Sequence, residues 1–152
     1  MLLTSRKKRP EGVVDTSVLV VGIAAFRDIE TQSLVPSARL LRDWIDNRTF
    51  TRLINEEILD EYKVILTRRG LRPSLIGAVI NLIRSQAEEE PDLAGTNISP
   101  DPGDEPFCVC AEAGNADFIV TLNPADFPPH KLRAHMIAPS DPIPTTGRKR
   151  PR

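Results

Sequence analysis

Apolar and polar positions along this chain follow two periods, and they alternate in blocks. VVD reads as a short buried strand, and TSVLVVGIAAF as the helix after it, with Thr16 and Ser17 suited to cap its start. Residues 27–35 are polar and turn-like. From Pro36, Ala38, Leu41, Trp44 and Ile45 recur at helical spacing up to Asn47, and FTRLI then alternates as a second strand. NEEILDEYKVILTRRG is the clearest helix. Asn55 is placed to cap it, Glu56 and Glu57 suit the positive end of its dipole, and Arg68, Arg69 and Gly70 suit the other end. A further helix runs from Pro73 to about Ala87, and the acidic run EEEPD breaks it. LAGTNI predicts a strand, SPDPGDEP a polar corner, FCVCAEAGN a helix and ADFIVTL a fully buried strand. HMIAP predicts a last edge strand. Eleven of the fourteen prolines follow position 90, so helices become scarcer there, and PSDPIPTTGRKRPR has no periodicity. Strands alternating with helices predict an α/β fold with a mostly parallel sheet.

Length and composition narrow this picture. The 152 residues fit one domain, and 40% hydrophobic with 27% charged residues is an ordinary globular composition. We place the domain at residues 12–140, with a basic segment at 1–11 and a Pro-rich basic tail at 141–152. No apolar run approaches the ~18 residues needed to cross a bilayer. The start, MLLTSRKKRPEG, has too short an apolar stretch for a signal peptide, so the expected location is cytoplasmic. The net charge of −1 hides a division: eight of the twenty basic residues lie at the two ends, leaving an acidic body. Basic ends of this kind are solvated tails or weak nucleic-acid contacts. Cys108 and Cys110 stand two apart, so on a helix they point in different directions, and only His130 and His135 could join them. Buried reduced thiols are expected rather than a zinc site.

The acids raise the chemical question. Asp15 sits between two apolar runs, where a buried, unpaired carboxylate is costly. Either it caps the next helix, or it joins a site at the carboxyl ends of the strands, where parallel sheets form their crevices. On the helix after Asn55, the apolar arc is set by Ile58, Leu59, Tyr62, Ile65 and Leu66. At ~100° per residue, Asp60 falls roughly opposite that arc, while Glu61 falls about 40° from Ile65, on its rim. Glu61 therefore either faces inward or pairs with a neighbouring Lys or Arg. Asp104 heads the helix carrying FCVCA, with Asp101 and Glu105 as close rivals, and capping would explain it alone. Capping does not explain three acids at three element ends feasibly facing one crevice. Three such carboxylates would repel one another, and a hard divalent cation such as Mg²⁺ or Mn²⁺ resolves that.

VVDTSVLV, NEEILDEYKVIL and DPGDEPFCVCAEAGNADFIVTLNPADFP, in this order, resemble the PIN-domain family over about residues 12–140. The likeness is nearest to the bacterial branch of toxins from toxin–antitoxin pairs, related to the virulence-associated protein C type. The resemblance implies an α/β/α sandwich with a central parallel sheet. It also implies metal-dependent endoribonuclease activity, with three or four acids binding Mg²⁺ or Mn²⁺. Carried over by position, the acids are Asp15, Glu61 and Asp104. Ser17 takes the place of a polar residue that could hold a metal-bound water, and Thr121 that of a hydroxyl near the metal. Many relatives carry a fourth Asp where this chain has Asn123, which offers a neutral oxygen, and Asp126 either approaches the site or turns the chain. The resemblance further implies a homodimer and a protein antitoxin covering the RNA groove.

Other readings fit less well. A haloacid-dehalogenase-type phosphatase would want a second Asp at position 17, where Ser17 stands. A receiver domain would want an acidic pair before the phosphoacceptor strand, and the sequence before Asp15 is basic. A phosphate-binding loop of the GxxxxGK type is absent. The rival from another class is a PIN-like fold that only binds RNA or a protein. Arg27, Arg68, Arg69, Arg72 and the tails are the candidate RNA contacts on an acidic body.

Overall fold

The computed structural model describes residues 9–26, 34–91, 98–99 and 101–144. Its elements run β1 (Glu11–Val14), α1 (Thr16–Phe26), α2 (Pro36–Asn47), β2 (Thr51–Ile54), α3 (Glu56–Arg68), α4 (Pro73–Gln86) and β3 (Glu88–Glu89). They continue with α5 (Glu105–Ala113), β4 (Phe118–Val120) and β5 (His135–Ile137), with short 3₁₀ turns at Pro124–Asp126 and Pro129–Lys131. The five strands form one sheet in the order β3-β2-β1-β4-β5, and every pairing is parallel. The fold is an α/β/α sandwich, as expected, with the sheet wholly rather than mostly parallel.

Most elements follow their sequence signals. Pro36 opens α2 and Pro73 opens α4, each at a position that needs no N–H. Asn55 caps α3, its side-chain oxygen accepting from the Ile58 N–H at 2.7 Å, and Gly70 takes φ 81° beyond the helix end. β1 and β4 are buried along their whole length, as parallel strands covered on both faces must be. Gly12 pairs with Phe118 in the register, and a Cβ there would lie 2.1 Å from the Phe118 ring. Glycine is what lets that ring lie across the sheet.

Three expectations need correction or fall aside. The acidic run after α4 does end the helix, but Glu88 and Glu89 then form the edge strand β3, in register with Leu53 and Ile54. Edge pairing uses backbone groups, so two exposed glutamates serve as well as apolar residues. The strand expected at LAGTNI falls almost wholly outside the described residues, as does the turn-like segment up to residue 33; Ile98 itself lies in no strand. Cys108 and Cys110 are free and buried, as expected.

Candidate functional site

The strand order turns back between β1 and β4, so these neighbours mark the switch point where a parallel sheet opens a crevice at its carboxyl edge. Asp15 follows β1 and Thr121 follows β4. Pairing of Val14 with Val120 sets them side by side. The Thr121 hydroxyl donates to Asp15 Oδ2 at 2.8 Å, and the Ser17 hydroxyl donates to the same oxygen at 2.7 Å. The Thr16 N–H donates to Oδ1 at 2.8 Å. Asp15 is 6% exposed, and these three donors satisfy both of its carboxylate oxygens. Thr121 and Ser17 are held in turn, accepting from the backbone N–H groups of Asn123 (3.0 Å) and Leu122 (3.2 Å).

The cap of α1 is Asp15 itself, not Thr16 or Ser17. Its carbonyl accepts from the N–H groups of Val18 and Leu19, and Ser17 turns its hydroxyl back to the carboxylate. The two readings of Asp15 therefore do not compete, since the same residue opens α1 and follows β1 at the switch point.

Asp104 is different. It stands at the head of α5, where its carbonyl accepts from Phe107 and Cys108, yet its side chain makes no capping hydrogen bond. Its rivals are occupied: Asp101 Oδ1 accepts from the Gly103 N–H, and the Glu105 carboxylate accepts from Ile98 and Ser99. Burial, and then the charges of Asp15, Asp101, Asp126 and Glu61, push the Asp104 carboxyl up to about 6. Asp15 and Glu61 thus both act on Asp104 through space, as do Asp101 and Asp126.

Glu61 is half-buried, whereas Glu56, Glu57 and Asp60 on the same helix are exposed. Glu56 pairs with Arg84 at 2.8 Å and Asp60 with Lys63 at 3.8 Å, while Glu61 enters no ion pair among the described residues. Asn123 and Asp126 are exposed on the loop after β4, where the Asp126 N–H donates to the Asn123 carbonyl. Asp126 is felt at Asp104 more strongly than Glu61 is.

Two positioning residues lay hidden in the sequence. The Asn55 amide, besides capping α3, donates to the Pro106 carbonyl at 3.2 Å, tying the start of α3 to the start of α5. Tyr62 is buried beside Glu61, and its hydroxyl donates to the Val14 carbonyl, fixing α3 against the end of β1. Hydrophobic periodicity marks Tyr62 as core and Asn55 as a cap, and carries no signal for either cross-link. Asn55→Ala should lower stability by about 1–2 kcal/mol, seen as a lower urea midpoint, because both the cap and the cross-link go.

The donors at this edge are carboxylates and hydroxyls. Cys108, on the same helix, has its thiol pushed up to about 12 by burial and by Glu105, Asp104 and Asp15, so in the metal-free protein it is protonated. An all-oxygen set of this kind fits a hard divalent cation and not zinc. Among the described residues, no three His, Cys, Asp or Glu side chains already surround a point where one ion would sit. Ions of this class keep several of their waters, so carboxylates can hold them across water. No described helix is long and apolar enough to cross a membrane.

No curated protein matches the chain. A family model described as PIN domain matches residues 12–125, a span that takes in Asp15, Glu61, Asp104 and Thr121. That match covers well over half of the chain, and on it the chain belongs to the PIN-domain family.

Proposed function

We propose that the protein is a metal-dependent endoribonuclease, with Asp15, Glu61 and Asp104 holding Mg²⁺ or Mn²⁺ at the carboxyl edge of the sheet. The observation that carries this reading is the Asp104 carboxyl, which heads a helix without capping it and sits within the fields of Asp15, Asp101, Asp126 and Glu61. PIN domains are generally nucleases and typically bind divalent metals, which supports the reading. A bound divalent cation supplies positive charge against the scissile phosphate and acidifies water in contact with it. The chain's part is positional. Ser17, Thr121 and the Thr16 N–H satisfy and orient the Asp15 carboxylate, while Asn55 and Tyr62 anchor α3, the helix that carries Glu61. Asn123 offers a neutral oxygen where many relatives have a fourth acid, and Asp126 adds negative charge from the loop. The test is cleavage of single-stranded RNA by the purified protein with Mn²⁺, lost on chelation and restored by Mn²⁺.

We extend the proposal to a cytoplasmic toxin held in check by a protein antitoxin, and to a homodimer, on the resemblance of the three motifs. Arg68, Arg69 and Arg72 are exposed but lie at the far end of α3 from Asn55, so they meet RNA only if it runs along that helix. Arg27 and most of the basic residues at the two ends lie outside the described residues.

Metal binding should depend on pH in a stated direction. Folding raises the Asp104 carboxyl from 3.8 to about 6. The metal-free protein therefore gains stability from that proton at low pH and loses the gain as pH rises through about 6. Metal must displace the same proton. The rise in melting temperature produced by Mn²⁺ should accordingly be small below this pH and grow as pH passes it, in melts across a pH series.

A further inference from the structure

The peptide bond between Val14 and Asp15 is held at both of its polar ends. Its N–H, that of Asp15, donates to the Val120 carbonyl of β4 at 3.0 Å. Its carbonyl, that of Val14, points the opposite way because the peptide is trans, and there it accepts from the Tyr62 hydroxyl. The pairs between β1 and β2 are Glu11 with Thr51 and Gly12 with Arg52, so the Val14 carbonyl lies beyond them. Arg52 stands behind the Tyr62 hydroxyl. Its Nη2 donates to that oxygen at 2.9 Å, and its Cζ lies 5.0 Å from the centre of the Trp44 ring. Arg52 is fully buried, its Nε–H has no partner, and among the described residues no carboxylate pairs with it. A desolvated cation with so little compensation costs stability, so stability does not account for an arginine here.

We infer that Arg52 is a positioning residue for the candidate metal site: acting through the Tyr62 hydroxyl, it fixes the Val14–Asp15 peptide, and with it the Asp15 carboxylate, relative to α3. A guanidinium has donors only. The Tyr62 oxygen must therefore accept from it, which leaves the single phenolic proton to the Val14 carbonyl. Donation from a cation also polarises that O–H and strengthens the bond it makes. Tyr62 adjoins Glu61 in sequence, so one hydroxyl joins the elements that carry two of the three acids. The inference rests on the reading of Asp15 and Glu61 as metal-holding residues.

The sign of the effect separates positioning from charge. By charge alone, removing a cation would tighten the binding of Mn²⁺, whereas lost positioning weakens it. The experiment is a Mn²⁺ titration of thermal unfolding for the full-length wild type, Arg52→Met, Tyr62→Phe and the double variant, with the Val14 carbonyl ¹³C resonance of each recorded metal-free. Each single variant should need about tenfold more Mn²⁺ than wild type for the same rise in melting temperature, and the double variant no more than Tyr62→Phe. The Val14 resonance should move upfield in all three. Arg52→Lys, which keeps a charged donor, should bind Mn²⁺ closer to wild type than Arg52→Met does. If Arg52→Met does not fold, Arg52→Gln, neutral and shorter, takes its place with the same expectations. Unchanged or tighter Mn²⁺ binding by the Arg52 variant, additive losses in the double variant, or an unmoved Val14 resonance would each overturn the role while leaving the metal site standing. A wild type that does not respond to Mn²⁺ would instead overturn the site, and this role with it.

Discussion

Asp104→Asn should lower RNA cleavage on the order of a hundredfold or more, while the metal-free protein at neutral pH becomes no less stable than wild type and gains slightly. The loss follows if Asp104 helps hold the cation, since a metal site contributes several kcal/mol to the transition state and about 1.4 kcal/mol is tenfold in rate. The stability gain follows from the fields on its carboxyl. Burial and the four neighbouring acids disfavour its charge, and the side chain makes no capping bond that Asn would break. A neutral amide relieves the repulsion, and in this half-buried position its N–H groups are open to water and to the neighbouring carboxylates. The pair of readouts is single-turnover cleavage and the urea midpoint. A variant that cuts RNA as fast as wild type removes Asp104 from the site, and a clearly lowered midpoint gives it a structural role instead.

The opposite stability effect is expected at Asp15. Asp15→Ala should abolish cleavage and also lower stability by about 3 kcal/mol, because the hydroxyls of Ser17 and Thr121 and the Thr16 N–H lose their acceptor together. The Thr121 hydroxyl is fully buried, so water cannot easily replace the lost bond. Asp15 and Asp104 thus separate by stability: one is built into the sheet edge and the other is tolerated there. Equilibrium urea unfolding of both variants, metal-free, distinguishes them, and a drop for Asp104→Asn as large as that for Asp15→Ala would contradict the assignment.

These contrasts also mark what the sequence could and could not reveal. Helix geometry alone put Glu61 on the rim of the apolar face, and it is half-buried where its three acidic neighbours on α3 are exposed. Asp15 was legible because parallel strands end where a crevice forms. The choice among Asp101, Asp104 and Glu105 was not settled by local sequence, because all three suit a helix head. Loop hydrogen bonds separate them, engaging Asp101 with Gly103 and Glu105 with Ile98 and Ser99. β3 escaped notice because a two-residue edge strand is specified by its neighbour's backbone. Tyr62 and Arg52 escaped for another reason: periodicity reports that a side chain is buried, not what its polar end touches. Arg52, on β2, is 1% exposed with its Nη2 donating to the Tyr62 hydroxyl at 2.9 Å, and a strand buried on both faces offers no parity to mark it.

The claim beneath the functional reading is that Asp15, Glu61 and Asp104 share one divalent cation. Thermal unfolding at neutral pH with increasing Mn²⁺, for wild type and Asp104→Asn side by side, measures this most directly, because an ion that binds only the folded state raises the melting temperature with its concentration. Wild type should rise by about 5–10 °C near a hundredfold excess over the dissociation constant, and Asp104→Asn by little or nothing. A flat wild-type curve, or the same rise in both proteins, would contradict the shared site.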